Sequence, residues 1–168
     1  MNTIELNQYF NGWADVDALR GFTEYAILAV WGCGGDTGFI ALDIEAEAPK
    51  EWDATVHRPP FFSLYGKEAD GEWTALHDEQ LAPGMLVKVR ELSDFESDHG
   101  LLKPGVKAVS RRRSITGYHM MRKCAARAAA GLDGTPLFYQ PPKRKALSKT
   151  RNRYGWDGLC GSSNLHIG

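Results

Sequence analysis

"DVDALRGFTEYAILAVWG", residues 15–32, is the stretch on which the architecture turns. Its apolar residues Val16, Leu19, Phe22, Ala26, Ile27 and Val30 follow at spacings of three, three, four, one and three. That is the period of one helical face. Asp15 stands where an N-cap belongs, and Gly32 where a left-handed residue would close the last turn. The pattern predicts a helix over most of the stretch, entered through the turn-like Asn11-Gly12 pair.

Outward from there the periodicity changes. "TGFIALDIEAEA" reads as a strand of mixed burial, and "PPFFSLYGK", "EADG" and "EWTALHD" read as a hairpin turning at Asp70-Gly71. In "APGMLVKVREL" Pro83-Gly84 supplies a turn and Met85, Val87 and Val89 alternate with Leu86, Lys88 and Arg90, which predicts a third strand. "SDFESDHGLLKPG" interrupts the pattern. "KAVSRRRSITGYHMMRKCAARAAAGLDG" then predicts a second helix, capped by Ser114 or Thr116 and ended by Gly131. The diproline at 141–142 stops regular structure. The expected fold is α+β: a small, mostly antiparallel sheet with two helices packed on it, and a basic C-terminal arm. Residues 1–140 form the globular domain and 141–168 the arm. There is no internal repeat and no low-complexity tract.

A chain of 168 residues with 43% hydrophobic and 11% aromatic side chains has the composition of a globular protein rather than a disordered one. No apolar run approaches the roughly 18 residues of a membrane span. "MNTIELNQYF" lacks a signal peptide's basic and apolar regions, and the three cysteines (Cys33, Cys124, Cys160) make neither a disulfide framework nor a metal clip. These features point to a reducing, cytoplasmic setting without membrane contact.

The net charge of −1 conceals a polarity. Residues 1–100 hold 19 Asp and Glu against 6 Lys and Arg, a net of −13; residues 101–168 hold 14 Lys and Arg against 2 acids, a net of +12. Such asymmetry marks nucleic-acid contact or an interaction tail, unless the two halves cancel by packing together. On a helical wheel of about 100° per residue, Tyr118, Met121, Cys124, Ala125 and Ala128 share one side of the second helix. His119, Arg122, Lys123 and Arg127 share the other, with Arg111, Arg112 and Arg113 just before them. The arm adds Lys143, Arg144, Lys145, Lys149, Arg151 and Arg153, interleaved with Tyr154 and Trp156. Cations in a row release counterions from phosphates, and aromatic faces stack on single-stranded bases. No helix-turn-helix, zinc-finger, RNP or GXXG signature accompanies them, so the pattern speaks of phosphates and not of base sequence.

Other chemistry is weaker in the sequence. "WGCGGDTGF" lacks the spacing of a phosphate-cradling loop, and its glycines fit a turn. Cys33 as a nucleophile would need His57, His77 or His99 beside it. Asp94, Glu96, Asp98 and His99 offer oxygen and nitrogen ligands but not the calcium-loop spacing, and His166 stands in an uninformative tail. No metal or cofactor is therefore expected. The leading expectation is a non-catalytic nucleic-acid-binding protein, for RNA or DNA, using residues 111–127 and 143–156. One rival is a protein-interaction or inhibitor module, of the kind phages and plasmids encode, whose acidic half engages a basic protein partner. The other is a small enzyme acting on phosphate-bearing substrates at His119.

Overall fold

The computed structural model describes residues 16–35 and 38–136. In chain order they form α1 (Val16–Gly21), β1 (Glu24–Gly34), β2 (Gly38–Leu42), β3 (Phe61–Lys67), β4 (Trp73–Glu79), α2 (Ala82–Asp98), α3 (Ala108–Ser114) and α4 (Tyr118–Ala129). The four strands make one sheet in the order β2-β1-β3-β4, antiparallel at each pairing. The α+β class and the mostly antiparallel sheet expected from the sequence are what the chain forms. The arm residues Lys143, Arg144, Lys145, Lys149, Arg151, Arg153, Tyr154 and Trp156, together with Asp15, Cys160 and His166, lie outside the described residues.

The helix expected across residues 15–32 is overturned. Only Val16–Gly21 is helical, and β1 runs through Ala26, Ile27 and Val30. The cause is burial on both faces. Tyr25 and Ile27 pack with Phe62, Leu64 and Leu76 under the helices, while Ala26, Leu28 and Val30 join Ala41 and Tyr65 on the opposite side. A strand with no polar face is a continuous apolar run, and such a run satisfies a helical period as easily as a strand one.

The expected strand at residues 82–92 is also a helix. Pro83 sits in its first turn, where a missing N–H costs nothing. Met85, Val89, Leu92 and Glu96 are its buried side, at spacings of four, three and four, whereas Val87, the partner in the alternating pattern, is 51% exposed. The supposed breaker from Ser93 to Asp98 continues α2, which ends where His99 and Gly100 return N–H groups to Phe95 and Ser97. The hairpin stands as expected: Gly71 turns it at a φ of 97°, and Asp70 accepts the Glu72 amide at 3.0 Å.

The core lies between the sheet and α2 and α4. Met85, Val89 and Leu92 meet Met120, Met121 and Cys124 above Phe62, Leu64 and Ile27. A second group, Ala29, Trp31 and Cys33 with Ile40, Leu42 and Trp52, closes the β2 end, where Trp31 and Trp52 meet edge to face at 5.0 Å. Among the described residues no helix is long and apolar enough to cross a membrane.

Candidate nucleic-acid interface

The basic segment is not one helix, as expected, but α3 and α4 joined by Ile115, Thr116 and Gly117. The joint exists because β1 is longer than its neighbour. β2 pairs only with Ala29 to Gly34, leaving the lower half of that edge of β1 open. Thr116 takes the vacancy: Ile27 donates its N–H to the Thr116 carbonyl at 2.8 Å, and the Thr116 N–H bonds the Tyr25 carbonyl at 3.1 Å. Gly117 then turns into α4 at a φ of 83°, so close to the strand that a Cβ there would lie 2.5 Å from the Ile27 carbonyl oxygen. Glycine, not Ser114 or Thr116, starts α4. The expected end at Gly131 holds, with a left-handed φ of 75°.

This anchoring fixes which side of α4 faces outward. Met120, Met121 and Cys124 are buried, while His119, Arg122, Lys123, Ala126 and Ala129 are exposed. Arg127 stands at the margin, half-buried, its Nε shielded from solvent and without an acceptor. Burial pushes the Cys124 thiol up, against the opposing charge of Arg127.

Three arginines precede the joint and do different things. Arg111 forms a two-pronged ion pair with Glu96, Nε and Nη2 each donating to one carboxylate oxygen at 2.9 and 3.0 Å. Its guanidinium also lies 4.4 Å from the centre of the Tyr25 ring. Glu96 is 3% exposed, so this is a buried pair. Burial alone would lower the Arg111 guanidinium; the bound Glu96 carboxylate more than offsets it and holds the group charged. Burial first, and then the Glu96 charge, holds the Tyr25 phenol protonated. Arg112 approaches Asp94 at 3.9 Å. Arg113 is exposed, and among the described residues Arg113, Arg122, Lys123 and Arg127 form no ion pair.

The remaining candidates are placed as follows. Asp94, Glu96 and Asp98 belong to the last turns of α2, and among the described residues no group of three or more His, Cys, Asp or Glu could hold a metal ion. Cys33 is buried on β1. No hydrogen bond joins Cys33 to His57, His77 or His99 among the described residues, although the His57 ring lies against the neighbouring Gly34. His57 Nδ1 accepts the Asp53 N–H at 2.9 Å, His77 Nε2 lies 3.1 Å from Glu79, and His99 stacks on Phe95 at 4.0 Å. His119 stands on the open outer face of α4, with no hydrogen bond to a carboxylate or a second histidine among the described residues.

The Thr116-Gly117 anchor and the Tyr25–Glu96–Arg111 cluster carry the geometry and were not visible as a site in the sequence. The one signal for the first is a Thr-Gly pair inside an otherwise helical pattern. For the second there was none, since its members come from three elements. Comparison with protein-family models, curated proteins and solved structures returns no match for this chain.

Proposed function

We propose that the protein is a non-catalytic nucleic-acid-binding protein, with a globular domain over residues 1–140 and a basic arm over 141–168. The observation that supports this is the division of labour within α3 and α4. These helices carry six cations and no carboxylate of their own. Arg111 pairs with buried Glu96 and Arg112 approaches exposed Asp94, whereas Arg113, Arg122, Lys123 and Arg127 have no ion pair among the described residues. Cations left unpaired beside a helix whose other side is cored are free to take phosphates, each displacing condensed counterions. His119 adds a further donor on that face. The arm, with six cations and Tyr154 and Trp156, extends the grip and stacks on unpaired bases.

The test is fluorescence anisotropy of the full chain with labelled nucleic acids across a salt series. Four phosphate contacts give a slope of log K against log salt of about −3.6 on duplex, steeper if the arm joins. Arg122→Gln with Lys123→Gln makes the slope shallower by about 2. Salt-independent affinity, or a slope unmoved by those changes, overturns the reading.

A second reading rests on the exposed carboxylates Glu45, Glu47, Glu51 and Asp53 of the connection between β2 and β3, which have no basic partner among the described ion pairs. They would engage a basic protein, and a complex abolished by exchanging them for Gln and Asn would favour that reading.

A further inference from the structure

We infer that the ligand of the α4 face is double-stranded DNA, entered through the major groove; this rests on the nucleic-acid reading above and narrows it. Three observations converge. The first is connectivity. A seven-residue α3, a three-residue joint containing left-handed Gly117 and a twelve-residue basic α4 have the element order and turn length of the motif that lays its second helix in the groove. The sequence hid this by running the two helices together.

The second is shape. His119, Arg122, Ala126 and Ala129 succeed one another on the exposed side of α4 at spacings of three, four and three, with Lys123 beside them, so the C-terminal half of that row carries methyl groups alone. That half of the helix crest can approach a surface to nearly backbone distance. The B-form major groove, about 12 Å wide, admits such a helix, whereas the deep, narrow major groove of A-form RNA does not.

The third is what the face lacks. Single strands are held by stacking on exposed aromatic rings. Among the described residues Phe39 is the one exposed aromatic, and it lies on β2 against Gly32, away from α4. Tyr118, the aromatic residue of α4, packs into the core. The face therefore supplies charge and a groove-sized crest, but no platform for bases.

The experiment compares the full chain with its Ala126→Trp variant on three probes: a mixed-sequence duplex DNA, one of its single strands, and a duplex RNA of the same sequence. Ala126 is exposed and charge-neutral, so the substitution leaves the fold and the phosphate-binding cations intact while raising the crest. The expected result is read from the effect of the substitution on each probe. The variant loses about tenfold or more on duplex DNA, the worth of one good groove contact, and loses nothing on the single strand. A variant that loses as much on the single strand or the duplex RNA as on duplex DNA overturns the inference while leaving phosphate binding standing. So does a variant that binds duplex DNA unchanged. Binding to none of the probes defeats both this inference and the reading beneath it.

Discussion

Replacing Gly117 by alanine tests the joint on which the orientation of α4 depends. The residue holds a φ of 83°, which costs an L side chain about 1–2 kcal/mol. Its new Cβ would lie 2.5 Å from the Ile27 carbonyl oxygen and 3.3 Å from Ile44 Cδ1. The first of these is backbone in the middle of a buried strand and has nowhere to go. Relief has to come from moving residues 115–117 outward, which stretches the two hydrogen bonds joining Thr116 to β1, each contributing about 0.5–1.5 kcal/mol. The sum is a loss of about 2–5 kcal/mol, a large fraction of the roughly 5–15 kcal/mol that holds a typical domain. Gly131 is the internal control. It ends the same helix at a φ of 75°, but a Cβ there meets nothing within 4 Å, so Gly131→Ala costs the conformational part alone, about 1–2 kcal/mol. Urea unfolding followed by circular dichroism measures both. If Gly117→Ala proves no more costly than Gly131→Ala, the helix joint is not seated on β1 and the placement of the basic face falls with it.

Two further outcomes follow from the cluster beneath the joint. Arg111→Ala leaves Glu96 buried without its cation and costs about 3–5 kcal/mol, while Arg111→Met combined with Glu96→Leu recovers most of that loss. Unchanged stability in the single variant, read from the urea midpoint, would show that the pair holds nothing together. The second outcome is alkaline. Burial pushes the Tyr65 phenol up to about 12, opposed by the nearby Ser63 hydroxyl and assisted by the Asp78 charge, and burial raises Tyr25 as well. Both folded-state values lie above the ordinary tyrosine value of about 10. Their contribution is therefore fully present below pH about 10 and is withdrawn as pH rises toward about 12, by about 1.4 kcal/mol per pH unit for each tyrosine. Phenolate absorbance rising together with unfolding in that window is the expected record; ionisation near pH 10 in a chain still folded would contradict it.

What the sequence made legible tracks how many faces an element buries. The hairpin of β3 and β4 was readable because Asp70-Gly71 is a local turn signal that needs no tertiary help. β1 was not, because burial on both sides removed the polar residues whose spacing would have distinguished strand from helix. In α2 the short alternation of Met85, Val87 and Val89 outweighed a helical repeat that becomes plain only when followed to Glu96, and Glu96 reads as solvent-facing until Arg111 is found against it. Of the four residues expected on the outer face of α4, three are exposed and Arg127 sits half-buried at its margin; a helix with one cored side shows its period directly in charge. His119, Arg122 and Lys123 are exposed where the wheel put them.

The opposed charges of the two halves posed a choice between cancelling each other internally and meeting a ligand; the structure pairs Arg111 and Arg112 with acids of α2 and leaves Arg122 and Lys123 without an ion pair among the described residues. Asp94 and Glu96, on the last turns of α2, take Arg112 and Arg111, the two arginines that α3 directs toward them. The Arg111–Glu96 pair is buried and orients α3, while Arg112 approaches an exposed Asp94 at the surface. Removing Arg111 should therefore lower stability without changing the salt slope of the molecules that remain folded. Removing Arg122 and Lys123 should do the reverse, because their side chains are exposed and form no ion pair among the described residues. A protein in which both substitutions moved both quantities would have its charges coupled through the whole surface, and the separation of an anchoring pair from a binding face would not describe it.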